Sequence, residues 1–171
     1  MKALLTHIFR KDYDSLRAAL TRENVNSRDK GGMTLLMRAV LDDDDTPEMV
    51  KFLLSHGAEV DAHDTDQEWT ALHLAARDQK AAIVRALLDG GSQVDSLDVF
   101  GNTPLWRAIA DGGSNPVVVE MLLRAGADPR KKNSDGLSPI DVAIRLGKTE
   151  LVDMMQKKRQ PTSRSTESRL H

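Results

Sequence analysis

Four stretches of this chain repeat one order of apolar and polar positions: GMTLLMRA at Gly32–Ala39, EWTALHLA at Glu68–Ala75, GNTPLWRA at Gly101–Ala108 and GLSPIDVA at Gly136–Ala143. Their hydroxyl anchors Thr34, Thr70, Thr103 and Ser138 lie 36, 33 and 35 residues apart. A Thr or Ser ahead of an apolar run signals a helix N-cap, because its oxygen accepts a backbone N–H that a helix start leaves without a partner. Leu36, Leu72, Leu105 and Ile140 are each followed three residues later by Ala39, Ala75, Ala108 and Ala143, which sets a single apolar face on that helix. Alanine at this spacing lets a neighbouring helix approach closely. Downstream, Val50, Val84, Val119 and Val152 precede Leu53, Leu87, Leu122 and Met155 at the same spacing and mark the buried stripe of a second helix. Gly57, Gly91 and Gly126 stand where that helix ends in the left-handed conformation. Each unit is therefore a pair of helices, and a polar, turn-prone linker leads to the next cap.

The departures are regular too. The turn inside the pair is lengthened by two residues in VLDDDDTPEM and IADGGSNPVV. Each insertion ends in a polar residue and a proline, Thr46-Pro47 and Asn115-Pro116, expected to cap and open the second helix. The linker before Trp69, DAHDTDQEWT, has one extra residue and no glycine. This unit resembles the ankyrin repeat, a 33-residue module with the phrase T-P-L-H-x-A. ALHLAARDQKAAIVRALLDGGSQVDSLDVFGNTPL follows that pattern nearly residue for residue, and the resemblance covers roughly Asp12 to Lys158. RKDYDSLRAALTRENVNSRDKGG reads as a degenerate first unit with Leu16 and Leu20 as its second-helix stripe. The resemblance implies an all-α ankyrin-repeat solenoid of stacked helix pairs with projecting β-hairpin fingers. Its units fall at about 4–29, 30–61, 62–95, 96–129 and 130–158. It also gives His73 the structural task of hydrogen-bonding Thr70.

Charge separates the body from its end. The chain holds 24 Lys and Arg against 26 Asp and Glu, and five of those bases face only Glu167 within residues 157–171. Residues 1–156 are left with 19 bases and 25 acids, about −6. Residues 159–171 have no periodic apolar set and are expected to form a disordered basic tail. There is no cysteine, which removes disulfides, thiolate metal sites and a cysteine nucleophile. The opening MKALLTHIFRKDYD is too short in apolar residues for a signal-peptide core, and no run approaches a membrane span. A soluble, cytoplasmic location is the expectation.

No catalytic constellation stands out. His7, His56, His63, His73 and His171 show no metal-ligand spacing, and no phosphate-binding glycine loop or nucleophile elbow is present. Asp42, Asp43, Asp44 and Asp45 lack the alternate spacing of a calcium loop and are read as an acidic rim. The expectation is a non-enzyme without cofactor, metal or small-molecule substrate. The resemblance implies that residues just before each cap face the concave side, where such arrays bind proteins. Those slots hold Met33, Asp66, Gln67, Trp69, Val99, Phe100, Asn102 and Leu137. Trp106 takes the slot of the motif histidine and reads equally as core or contact. The function implied is protein–protein interaction by a monomeric module, in the manner of an inhibitor or immunity-type protein that covers its partner's site. The alternative is an adaptor tethered to nucleic acid or an anionic membrane by the basic tail, for which five bases without an aromatic residue are a weak anchor.

Overall fold

The computed structural model describes residues 1–42, 46–111, 113 and 115–157. Among them are ten helices: α1 (Lys2–Phe9), α2 (Tyr13–Ala19), α3 (Leu35–Val40), α4 (Glu48–Ser55), α5 (Ala71–Arg77), α6 (Ala81–Asp89), α7 (Pro104–Ala110), α8 (Pro116–Arg124), α9 (Pro139–Arg145) and α10 (Thr149–Lys157). They form five antiparallel pairs, and each pair packs on the next. Four of the pairs fall where the stripes locate both helices. The first pair starts earlier than its apolar pattern reveals, at Lys2, with Leu4 and Ile8 as the buried face of α1.

Four inner helices, α3, α5, α7 and α9, start alike. Thr34, Thr70, Thr103 and Ser138 are extended N-caps whose hydroxyls accept the N–H three residues on. Asn115 caps α8 as expected, accepting the Val117 N–H, with Pro116 in the first turn. Thr46 does not cap α4. Pro47 itself occupies the N-cap position, with no side-chain bond, so the helix opens one residue later than its sequence suggests.

The core is the stack of these faces. Leu36, Leu72, Leu105, Ile140 and the four alanines Ala39, Ala75, Ala108 and Ala143 are all buried, as are Val50, Val84, Val119, Leu53, Leu87, Leu122 and Met155. Val152 on the last helix is half-buried. Polar side chains stitch successive pairs where helix ends leave carbonyls free. Lys80 Nζ donates to the Val40 carbonyl at 2.8 Å, and Lys148 Nζ to that of Ile109 at 2.7 Å. Gln79 bridges forward, donating to the Ala108 carbonyl at 2.9 Å and accepting the Asn115 N–H at 2.7 Å.

The linkers project as fingers, but no β-ladder forms among the described residues. One isolated antiparallel bridge, Arg28 to Thr34, is present. Each finger is closed instead by a backbone bond at its base, Asp29 to Met33, Asp64 to Trp69, Asp98 to Asn102 and Asn133 to Leu137, and three have a second, from the Gly32, Gly101 and Gly136 N–H groups to the Asp29, Asp98 and Asn133 carbonyls. Three of their tips use a glycine with positive φ, Gly32, Gly101 and Gly136. Gly32 has φ +75°, and a Cβ there would lie 2.7 Å from the Thr65 backbone nitrogen. The finger that lacks the glycine places Glu68 at φ 55° in its stead, a conformation that costs a non-glycine residue free energy.

Ala75 and Ala108 are fully buried in facing inner helices. Ala75→Leu or Ala108→Leu is expected to destabilise by roughly 1–3 kcal/mol through overpacking. Denaturant melts check this, and an unchanged midpoint would mean that the alanine face has slack.

Candidate functional site

The finger row is built by one acidic or amide side chain per unit. Asp29 Oδ1 accepts the N–H groups of Gly31 (2.9 Å) and Met33 (3.0 Å). Asp64 Oδ1 accepts those of Asp66 (3.1 Å), Gln67 (2.8 Å) and Trp69 (3.4 Å). Asp98 Oδ1 accepts Phe100 (2.9 Å) and Asn102 (2.8 Å), and Asn133 Oδ1 accepts Asp135 (3.0 Å) and Leu137 (2.9 Å). Short polar side chains that bond their own backbone a few residues on are suited to such turns. Neighbouring fingers are then tied by backbone bonds, Thr65 to Gly31, Val99 to Gln67 (2.9 Å) and Ser134 to Phe100 (3.0 Å). The tips therefore form one connected surface.

Two of the carboxylates also hold an arginine of the inner helix. Arg38 pairs with Asp29, and Arg107 Nε and Nη2 donate to Asp98 Oδ2 at 2.9 and 2.6 Å. Arg107 Nη1 reaches Asp111 at 3.0 Å. Burial pushes the Asp98 carboxyl up, but the Asn102 N–H, the Arg107 guanidinium and the Phe100 N–H outweigh it and hold the group below the ordinary carboxylate value. Held there, Arg107 stacks between two indoles, 4.8 Å from the Trp69 ring centroid and 5.3 Å from that of Trp106. The Arg77 guanidinium also lies over Trp69, 4.9 Å from its ring centroid. The result is an alternating Arg–Trp ladder lying against α5 and α7.

This ladder corrects one expectation. Trp69 is 9% exposed and belongs to the core, with the guanidinium groups of Arg77 and Arg107 over its ring. Asn102 is buried as well, held by Asp98 and by a 2.7 Å bond from Asn133 Nδ2 to its Oδ1. Met33, Trp106 and Leu137 are half-buried, and Asp66 and Gln67 are exposed. Val99 (49%) and Phe100 (51%) project from the third finger, joined by Leu97 (41%), which the slot pattern did not include. Asp42 has its carbonyl engaged by Lys80 Nζ. Asp43, Asp44 and Asp45, and residues 158–171 of the tail, lie outside the described residues. The finger-closing residues Asp29, Asp64, Asp98 and Asn133 escaped the slot reading, although an Asp or Asn recurs five or six residues before every cap.

His73 is part of the scaffold. Its Nδ1 accepts the Thr70 N–H (3.1 Å), and its Nε2 lies 3.1 Å from the Asn102 carbonyl of the next finger. That arrangement suits the neutral Nε2–H tautomer, which donates to the carbonyl. Burial drives the imidazole down to about 4, against the raising pull of the Asn102 carbonyl and Asp98. In the equivalent slot, Met37 and Asp141 also return a side-chain atom to the cap N–H, whereas Trp106 does not. The indole Nε1–H groups of Trp106 and Trp69 are buried without a partner among the described residues. No group of metal-binding side chains forms among those residues.

The family model for ankyrin repeats matches the chain in three copies, over residues 2–98, 36–133 and 80–165. The chain is 32% identical over 146 residues to the Neurogenic locus Notch protein of Drosophila melanogaster, covering 77% of this chain and 5% of that protein. It is 32% identical over 150 residues to SH3 and multiple ankyrin repeat domains protein 2 of Homo sapiens, covering 86% and 8%. With the Transient receptor potential cation channel subfamily A member 1 homolog of Caenorhabditis elegans it shares 31% over 161 residues, covering 86% and 13%. The chain thus spans only a small part of the length of these relatives.

Two outcomes follow from the ladder and the histidine. Trp69→Ala is expected to cost about 3–5 kcal/mol of stability, as for a core tryptophan; a loss below about 0.5 kcal/mol in urea melts would mean that the indole carries no packing. His73 titrates near 6.5 when unfolded and at about 4 when folded. Its stabilisation is therefore complete above pH 6.5, declines as pH falls, and is gone below about pH 4, a total on the order of 3 kcal/mol. His73→Gln is expected to flatten the stability profile across that window, and an equally steep profile would assign the acid sensitivity elsewhere.

Proposed function

Because the chain belongs to the ankyrin-repeat family, whose members are protein–protein interaction modules, we propose that it binds another protein through its finger row, with Val99 and Phe100 as the anchor. The observation that carries this reading is the half-exposure of both side chains on a finger whose backbone is fixed on each side. A large apolar group held in water at a rigid position gains most when a partner desolvates it, and loses little ordering entropy on binding. The polar tips on either side, with Asp66 and Glu68 before it and Asp135 after it, form the rim that orients the partner and sets the encounter rate.

The finer reading is that the chain acts by covering a site on its partner, as an inhibitor does. A connected surface of fingers supplies recognition and exclusion, and the groups identified here all have holding roles. Asp98 and Arg107 position the third finger, and His73 stays neutral to hold two units together. The family is typically non-enzymatic, which agrees with this division of labour.

Phe100→Ala is expected to lose about 2 kcal/mol or more of binding while folding stability changes by no more than about 0.5 kcal/mol. The measurements are calorimetric titrations with a partner recovered by affinity capture, and denaturant melts. Normal affinity together with a stability loss of several kcal/mol would make Phe100 a packing residue and remove the proposed anchor.

A further inference from the structure

The packing that joins one helix pair to the next ends on an apolar face. The sixth residue after each cap is Val40, Ala76 and Ile109 in α3, α5 and α7, and all three are fully buried where the following pair packs on them. Ile144 holds that place in α9 and is 58% exposed. The outer helices show the same contrast, since Val50, Val84 and Val119 are fully buried and Val152 of α10 is half-buried. Leu146 is exposed next to Ile144. Between α9 and α10 lies a shallow cavity of about 180 Å³, lined by Ile144, Val152 and Asp153 among others. The exposed Arg145 acts on Asp141 of its own helix, whose carboxyl is held down by the Ser138 hydroxyl and N–H and, less strongly, by Lys132 and Arg145. Everywhere else in the chain such a face is covered by another helix pair, which defines the kind of surface that fits it.

The first pair presents a matching surface. Leu4 and Ile8 are the buried side of α1, which packs on α3. At about 100° of rotation per residue, Thr6 falls on the opposite side with Lys2 and Phe9 next to it. Phe9 is 56% exposed, and Lys2 and Arg10 are exposed cations around it. Glu150 and Asp153 are the exposed carboxylates of α10 at the other end. Terminal repeats of a solenoid usually turn a polar face outward. Among the described residues, the large apolar side chains exposed away from the third finger and Val117 are Phe9, Ile144 and Leu146, all at the two ends of the stack. The charges beside them are opposite in sign.

We propose that the two ends are complementary and that copies of the chain associate head to tail. Phe9 of one copy seats in the α9–α10 cavity of the next, against Ile144 and Leu146, with Lys2 and Arg10 beside Glu150 and Asp153. The contact continues the internal stacking from one chain to another, and because it pairs two different surfaces it can propagate. It lacks one internal element. Lys80 and Lys148, each immediately before its second helix, donate to the Val40 and Ile109 carbonyls of the preceding unit, whereas Asp12 stands in that place in the first pair. Joining separate chains also costs translational and rotational freedom that the peptide link spares the internal units. Association is therefore expected at about 10 µM to 1 mM protein.

Sedimentation of the full chain tests this. The weight-average mass is expected to rise by about twofold or more between about 10 µM and 1 mM. Phe9→Asp and Ile144→Asp should each leave a monomer, and both sites are exposed, so the melting midpoint of each variant should stay where it was. An equal mixture of the two variants should restore association and stop at a dimer, because one variant keeps only its Phe9 end and the other only its Ile144 end. A chain that stays monomeric throughout, or a mixture that fails to associate, would overturn the proposal. So would association that Ile144→Asp abolishes and Phe9→Asp leaves intact, since that is the behaviour of two α9–α10 faces packed on each other. Association lost with Phe100→Ser would move the contact to the third finger and overturn it as well.

Discussion

The buried carboxylate of Asp98 is the point through which finger, helix and groove are joined. One oxygen closes the third finger by accepting the Phe100 and Asn102 N–H groups, and the other holds both Nε and Nη2 of Arg107. A buried charge is costly unless it is both paired and fully hydrogen-bonded, and removing one partner of such a pair typically costs about 3–5 kcal/mol. Asp98 meets both conditions. Because Arg107 is held there, its guanidinium is fixed as the central rung between Trp69 and Trp106. The position of Phe100 and the burial of Trp69, thirty-one residues apart, therefore depend on the same two oxygens.

Comparison among the units shows how sequence tunes this device. Where the inner helix offers an arginine four residues after the cap, Arg38 or Arg107, the finger supplies a carboxylate, Asp29 or Asp98. The last unit has Val142 in that slot, and the finger-closing residue is the neutral Asn133. It keeps the turn-forming acceptor without burying a charge that nothing would balance. The second finger is the exception, with Leu74 opposite Asp64. There the carboxylate accepts three backbone N–H groups. Its extra residue, Glu68 in the left-handed region, lets the loop wrap around that oxygen.

The stripes of both helices were legible because their spacing is a property of a single helix face, and the caps were legible because one side chain meets one local N–H. What the sequence hid involves residues brought together by stacking. Trp69 occupies a slot that in isolation faces outward, and its ring lies under Arg77 and under Arg107, which comes from the next unit. Asn102 was misplaced for the same reason, since its partners include Asn133 of the following finger. The Thr46 cap failed at a lengthened turn, where Pro47 takes the cap position itself. Trp106 resolves to a half-buried position, and its slot no longer serves the cap. The recurring Asp or Asn ahead of each cap was a readable signal. Its meaning needed the knowledge that these linkers turn back on themselves, closed by backbone bonds to that same residue.

The exposure of Phe100 is best understood from what fixes its backbone. Its N–H is held by Asp98, its carbonyl accepts from Ser134, and the adjacent Gly101 has φ +76°, where a Cβ would also crowd Ser134 at 3.1 Å. The backbone is tied on both sides while the ring itself is half in water. Finger packing alone would favour a small or polar side chain at such a tip, and the neighbouring tips do carry Asp66, Gln67, Ser134 and Asp135. In a chain with 4% aromatic residues, a phenylalanine held this way adds little to the core. Its desolvation energy is left available to whatever binds, and the scaffold has already met the ordering cost.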